Sequence, residues 1–523
     1  MCCNLLALIC AYSLASFAVD ALNILQIAPN YLDTNYDLSV RLANLLAERG
    51  HNVHFLIPLS KPDAQAPSAA KLSQQQNLKL QVCPLSLQTL EWMKRPPPDT
   101  DFMNPAPENI QQGDWSARHY KQSPAIVYVE AFAVIADIVK HGNCWDSLKQ
   151  RHENAPFTVG LMDVWDFGAL ALFHALGIKN VVLTHNFPIM SHMYDYMGEA
   201  EWPNARGQTL NYKQQILKNG VPEVFAALVN NDSKIGKSDA FKAEHSASSL
   251  IFTTIYEQMD SQFKTLFKND NFPSLKELFK NANYLFINSR RPLDYDLGTL
   301  PEKVKFIGGI DLMPNFPQSQ LTSNEYYVQQ KVFNENKKVI VFSMGTLLEP
   351  AKMPFDKFKT IVEGLGKLES MAVIWKYDAR QMVDHENRRE FLKKNAPNVH
   401  IMPRFDTRSV LSNPKTRLLI SECDSRSALD AVHAQKPLLC MPMFAEHFYV
   451  AEKLRRAGVA VVLLPHDSAR ITSNALVDSI KSVDANYADF IDKMKVLHDE
   501  IENEKIVPAE LFLTAFEEIG LSV

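Results

Sequence analysis

Two series of short apolar runs, each run followed by a stretch of helical period, constrain this chain more than any other feature. In the first series NILQIAP (Asn23 to Pro29) reads as a strand and YDLSVRLANLLAERG as a helix with Leu38, Leu42, Leu45 and Leu46 on one face. HNVHFLIP then reads as a second strand, which completes a βαβ unit. The second series begins at KKVIVFSMG (Lys337 to Gly345) and continues through MAVIWKYD, NVHIMPRF, TRLLISEC, KPLLCMPMF and GVAVVLL. Runs this uniformly apolar need cover on both faces, which a parallel sheet receives from its crossover helices. The expectation is an α/β chain with two doubly wound domains, residues 22–311 and 331–485. DLMPNFPQSQLTSNEYYVQQ between them, rich in Pro, Ser, Gln and Asn, reads as a linker over 312–330. Residues 60–120 read as a surface insertion of the first domain, and 486–523 as an amphipathic helical tail.

With 523 residues, 46% hydrophobic and 22% charged, the chain has the length and composition of a folded multidomain protein. Its 54 Lys and Arg against 59 Asp and Glu, with no long basic run, give no footprint for nucleic acid or an anionic membrane surface. Leu5 to about Ala18 is apolar, with small residues at Ala18 and Ala21, so residues 1–21 read as a secretory signal. No later stretch holds about 18 uninterrupted apolar residues, so no transmembrane anchor is expected. The expected location is the secretory pathway, either the lumen of the endoplasmic reticulum or the medium, and the terminal LSV is not a retention signal. Cys2, Cys3 and Cys10 fall in the signal; Cys83, Cys144, Cys423 and Cys440 have no metal-type spacing. Cys440 reads as a buried strand residue, and Cys83 and Cys144 are free to pair in an oxidising lumen. Asn231-Asp232-Ser233 is an acceptor-type glycosylation triplet. His185 and His192 lack a carboxylate at ligand spacing, so no metal is expected.

The segment FDTRSVLSNPKTRLLISECDSRSALDAVHAQKPLLCMPMFAEHFYVAEKL (Phe405 to Leu454) resembles the donor-binding signature of animal, particularly nematode-like, UDP-glucuronosyl/UDP-glucosyltransferases. GHNVHFLIP, NSRRPLDYDLGTLPEKVKFIGGI, VFSMGT (Val341 to Thr346) and PAELFLTAFEEIG match the family in the same order. The resemblance implies a GT-B fold, with two Rossmann-like domains facing a cleft, a small lipophilic acceptor on the first and UDP-sugar on the second. It implies inverting transfer of a hexosyl or hexuronosyl group, with UDP-sugar as co-substrate and no other cofactor. Association with related transferases is a further implication.

The resemblance also assigns positions, and many of them carry changed chemistry. Asn35 falls where the family has its catalytic His, and an amide cannot take a proton at physiological pH. The Asp that orients that His falls on Asp163, with Asp166 close by; Asp33 is the remaining replacement base. His51 reads as structural. The Trp-x-Pro-Gln that stacks on uracil falls on Arg404, Phe405, Asp406 and Thr407; an arginine plane can still stack. The diphosphate turn His-Gly-Gly-x-Asn-Ser falls on Glu422, Cys423, Asp424, Ser425, Arg426 and Ser427, where two carboxylates are expected to repel phosphate. The ribose-binding Glu becomes Asp430 and the sugar-binding Asp-Gln pair becomes Glu446-His447. Ser343, Gly345 and Thr346 keep a small-residue loop, which serves equally as a tight strand-to-helix turn. Two functions are compatible with these residues: a UDP-sugar transferase with altered donor geometry, and a non-catalytic member that binds a lipophilic ligand or a partner transferase.

Overall fold

The computed structural model describes residues 20–28, 33–59, 72, 75–89, 125–141, 143–186, 188–189, 193, 256–257, 259–294, 300–310, 323–345, 350–378, 385–403, 405, 407–442, 446–463 and 472–522. Residues 1–19 of the expected secretory signal, most of the 60–120 insertion, Thr346, Arg404, Asp406, His192 and Asn231 lie outside the described residues.

The first sheet is built from β1 (Asn23–Ile27), β2 (Asn52–Leu59), β3 (Leu78–Pro84), β4 (Val159–Asp163), β5 (Asn180–His185), β6 (Tyr284–Ile287) and β7 (Val304–Phe306). Their order is β3-β2-β1-β4-β5-β6-β7 and every pairing is parallel. The second sheet takes β8 (Val339–Phe342), β9 (Ala372–Lys376), β10 (Val399–Met402), β11 (Thr416–Ser421), β12 (Leu438–Cys440) and β13 (Ala460–Val462) in the order β10-β9-β8-β11-β12-β13, again all parallel. β4 and β8 are buried along their whole length, as strands covered on both faces must be.

Eight of the helices carry or frame the site: α1 (Asp33–Glu48), α2 (Phe167–Ala175), α3 (Ser323–Glu335), α4 (Thr407–Ser412), α5 (Ser425–His433), α6 (Glu446–Arg456), α7 (Tyr487–Asn503) and α8 (Pro508–Ser522). Leu38, Leu42 and Leu46 of α1 are buried against the first sheet, and Gly50 (φ +100°) ends the helix in the left-handed conformation glycine tolerates best. His51 comes next, buried, and accepts the Leu22 N–H on Nδ1 at 3.3 Å, a structural role.

One element departs from the sequence reading and another adds to it. The helix α3 begins at Ser323, so the second part of the 312–330 stretch is not extended linker. Of its residues with described side chains, Val332 and Phe333 enter the core. The tail is helical, as its amphipathic pattern indicates, and it also packs back on the first sheet. Phe512, Leu513, Phe516 and Ile519 of α8 pack into the core of the first sheet, and Arg49 Nη2 meets Glu517 Oε1 at 2.7 Å. The chain therefore crosses to the second sheet and returns. Among the described residues no helix is long and apolar enough to cross a membrane.

Candidate functional site

In parallel sheets ligands bind beyond the carboxyl ends of the strands. On the second sheet Ser343 follows β8, Lys376 ends β9 and Glu422 follows β11. The Ser343 N–H donates to the Ile420 carbonyl at 2.9 Å and so holds the β8 loop against β11. Gly345 turns this loop with φ +64°, and a β-carbon there would overlap the Glu422 carboxyl group. The Glu422 side chain thus lies directly on the small-residue loop that the resemblance assigns to phosphate. Lys376 Nζ donates to the Gly345 carbonyl at 3.4 Å from the other side.

Glu422 is 3% exposed and accepts the Ser421 hydroxyl at 2.9 Å. Burial, reinforced by the nearby Asp424 charge, pushes its carboxyl well above the usual carboxylate range. Burial likewise pushes the Lys376 amine down, against the pull of Glu422. A carboxyl pushed upward in this way carries less of the charge expected to repel phosphate, and its side chain fills the space on the loop.

Asp424 acts differently. It is the N-cap of α5, accepting the Ser427 N–H at 2.7 Å, so the helix terminus that could receive an anion has an internal carboxylate as its partner. Cys423 between them has φ +60°, a left-handed conformation at a position where the family has glycine. It is joined to Cys440 by a disulfide. Cys440 is the buried strand residue the sequence indicates, but nothing in the sequence indicates its pairing; the partners are 17 residues apart and come together because β11 and β12 are neighbours. A second disulfide joins Cys83 and Cys144.

Asp430, one turn further along α5, accepts from Arg408 Nε of α4 at 2.9 Å. Burial raises its carboxyl while Arg426 and Arg408 oppose that rise. Thr407 opens α4, half-buried. His447 of α6 is 1% exposed, and burial holds its imidazole down at about 4, neutral in ordinary buffers. Glu446 begins α6 and Asn35 lies in the first turn of α1; their side chains lie outside the described residues.

The sequence reading missed four residues that reach this region: Asp37, Arg41, Lys376 and Arg408. Burial first, then the charges of Arg426 and Arg408, pushes the Arg41 guanidinium down to about 9, while Asp37 and Asp430 pull it back up. It remains charged at neutral pH. Arg41 belongs to α1 of the first sheet and Arg426 to α5 of the second, so basic groups carried by both domains act on one another here. Asp37 and Arg41 are four residues apart and share a helix face. The leucine period of α1 masks them, since it marks only the face turned to the sheet.

On the first sheet Asp163 ends β4 and accepts the Trp165 N–H on Oδ1 at 3.0 Å. Burial pushes it up to about 7. Asp166 precedes α2 at the N-cap, without a side-chain cap bond, and both its carboxyl oxygens are buried with no hydrogen-bond partner. Burial and then the Asp163 charge raise its pKa as well. The turn thus brings together the two aspartates between which the sequence could not choose.

The sequence profile described as UDP-glucoronosyl and UDP-glucosyl transferase matches residues 237–506. The Caenorhabditis elegans protein ugt-55, which carries a UDP-glucuronosyltransferase name, is 23% identical over 505 residues, 95% of this chain and 86% of its own length. Human UDP-glucuronosyltransferase 1A3 is 25% identical over 371 residues, 69% of this chain and 62% of the human protein. Among solved structures, a UDP-glucose:anthocyanidin 3-O-glucosyltransferase in complex with UDP superposes with a TM-score of 0.60 at 14% identity, over 96% of this chain and 99% of that one. Phytolacca americana UGT2, complexed with UDP-2-fluoro-glucose and pterostilbene, gives 0.59 at 14% identity, over 96% and 100%. With two parallel-sheet α/β domains in the GT-B arrangement and a profile match over more than half its length, the chain belongs to the UDP-glucuronosyl and UDP-glucosyl transferase family.

Proposed function

We propose that this family member binds a small lipophilic ligand on its first domain (22–311) without transferring sugar to it, and that its second domain (331–485) no longer accepts UDP-sugar. One observation carries the reading: Asp424 caps α5 while Glu422 lies on Gly345, so two elements that would hold a diphosphate already hold the chain's own side chains. Arg408 on Asp430 supports it, because the ribose-side carboxylate has an internal partner. Asn35 in place of a histidine supports it from the acceptor side, since proton abstraction by a positioned base is worth ~10²–10⁴ in rate. Arg404 and Glu446-His447 complete the altered donor set, while Ser343, Gly345, Thr346 and Ser427 keep the family's residue types.

A second reading, a transferase that uses Asp163 as its base, is favoured by the carboxyl held at about 7, close to the ideal for general-base work at neutral pH. Transfer to a simple phenol from UDP-glucose or UDP-glucuronic acid separates the two. Turnover at background, with the phenol still bound in equilibrium dialysis, supports the binding role. Turnover well above background, lost in Asp163→Asn or Asp33→Ala, sinks it.

The protein is further proposed to enter the secretory pathway on a signal at residues 1–21. The disulfides Cys83–Cys144 and Cys423–Cys440 support an oxidising compartment. An oligomer with related transferases is the companion proposal. Carbonate extraction of expressing cells should leave the chain in the aqueous fraction; recovery in the membrane pellet would contradict it.

A further inference from the structure

We infer that His433, His498 and Glu502 form a divalent-cation site of the zinc type that ties α5 to α7. His433 is the last residue of α5. His498 and Glu502 lie four residues apart on α7, one turn along the same face. One ligand atom from each of the three falls within 4.8 Å of the other two. The two imidazoles stand edge-on, with ring centroids 6.1 Å apart at 88°, and His433 Nδ1 is 3.8 Å from Glu502 Oε1.

Two further observations point to a ligand rather than to a simple ion pair. At 3.8 Å the His433 and Glu502 groups do not form a hydrogen bond, and His433 Nε2 is buried with no hydrogen-bond partner. An imidazole nitrogen left unsatisfied in this way carries a desolvation cost that packing alone does not offset. His498 Nδ1 lies 3.2 Å from Asp499 Oδ1, the kind of carboxylate contact that orients a metal-bound histidine from behind.

Two imidazoles and one carboxylate suit zinc and its first-row neighbours; calcium and magnesium prefer all-oxygen sets. Zinc–nitrogen bonds of about 2.0–2.1 Å require ligand atoms roughly 3.3 Å apart, so the three groups must close by about an ångström or somewhat more. The Glu502 side chain is 54% exposed and can swing in, and the same exposure gives the ion its path and leaves room for water as a further ligand. Arg290 and Arg408 bear on His433 and oppose a cation, but Arg290 is paired with Glu504 at 3.4 Å and Arg408 with Asp430 at 2.9 Å.

The site is at the opposite end of α5 from the Asp424 cap. Over nine residues that is roughly 13 Å at 1.5 Å per residue, so occupancy acts on how α7 is fastened rather than on the donor cleft. The inference stands whether or not the protein transfers sugar.

The test uses the purified mature chain stripped with EDTA, then titrated with zinc alone and with cobalt(II) as a spectroscopic substitute. The expected result is saturable binding of one equivalent of zinc, a rise in melting temperature and the visible absorption of a tetrahedral cobalt site. Calcium and magnesium should give no shift. His498→Ala should abolish these responses and Glu502→Gln should weaken binding roughly tenfold or more. Both variants should melt like the parent when metal-free, because neither side chain belongs to the apolar core. Absence of saturable binding would overturn the inference, and so would undiminished binding in both variants, which would place the ion on other histidines.

Discussion

Replacing Asp163 by Asn should stabilise this protein at neutral pH and have only a small effect at pH 4. Asp163 is 5% exposed, and burial raises its carboxyl from an ordinary 3.8 to about 7. A rise of about 3 units at about 1.4 kcal/mol each makes the penalty near pH 7 on the order of 4 kcal/mol. The sign follows from linkage. Because folding raises this pKa, the stability Asp163 contributes is complete below its ordinary value and is lost as pH climbs toward 7. Asparagine keeps the shape and still offers an oxygen to the Trp165 N–H, now 3.0 Å from Asp163 Oδ1. Asp166, raised by burial and then by Asp163, is still present, so a residual slope of the same sign persists in the variant. The assay is urea unfolding of parent and variant from pH 4 to 8. Since a two-domain chain need not unfold in one step, the quantity to compare is parent minus variant at each pH. The difference should open steadily over that range and then level off. Equal stability at pH 7.5 would refute the reasoning, since it would mean that Asp163 is ionised and fully compensated in the folded protein.

Asp424→Ala removes the cap of α5 and should lower stability by about 1 kcal/mol, whereas Asp424→Gly should cost only a few tenths, as read from denaturant midpoints. Phe512→Ala should cost about 3–5 kcal/mol and loosen the first sheet as well as α8, because the ring is fully buried and meets Phe286 edge-on at 5.0 Å. Hydrogen exchange in β6 checks that second effect: unchanged protection there would mean that α8 is dispensable to the sheet.

The parts of the fold legible in the sequence are those where local pattern and environment agree. VIVF and AVIW are apolar throughout because β8 and the first four residues of β9 are covered on both faces, and the leucines of α1 face the sheet that their period indicates. The return of α8 is not legible, because an amphipathic helix does not say which apolar surface it will cover. The site divides in the same way. Glu422, Asp424 and Asp430 can be found because one segment carries them all. Arg41 and Lys376 cannot, because they come from a helix of the other domain and a strand end and only tertiary structure brings them there, whereas Arg408 lies in that same segment but at a position to which the resemblance assigns no role. The upward push on the Glu422 carboxyl is also hidden, since it depends on a burial that a sequence does not display.

The closed donor cleft is tested most directly by the melting temperature of the unmodified mature chain with and without millimolar UDP. A ligand that binds only the folded state adds about 2.7 kcal/mol at a hundredfold excess over its dissociation constant, so a working site would give a plain upward shift. None is expected in the parent, and a shift first in the double variant Glu422→His, Asp424→Gly, which removes the carboxyl from Gly345 and frees the Ser427 N–H. A clear shift in the parent, lost on Arg426→Ala, would contradict it and make Arg426 the phosphate ligand of a working site.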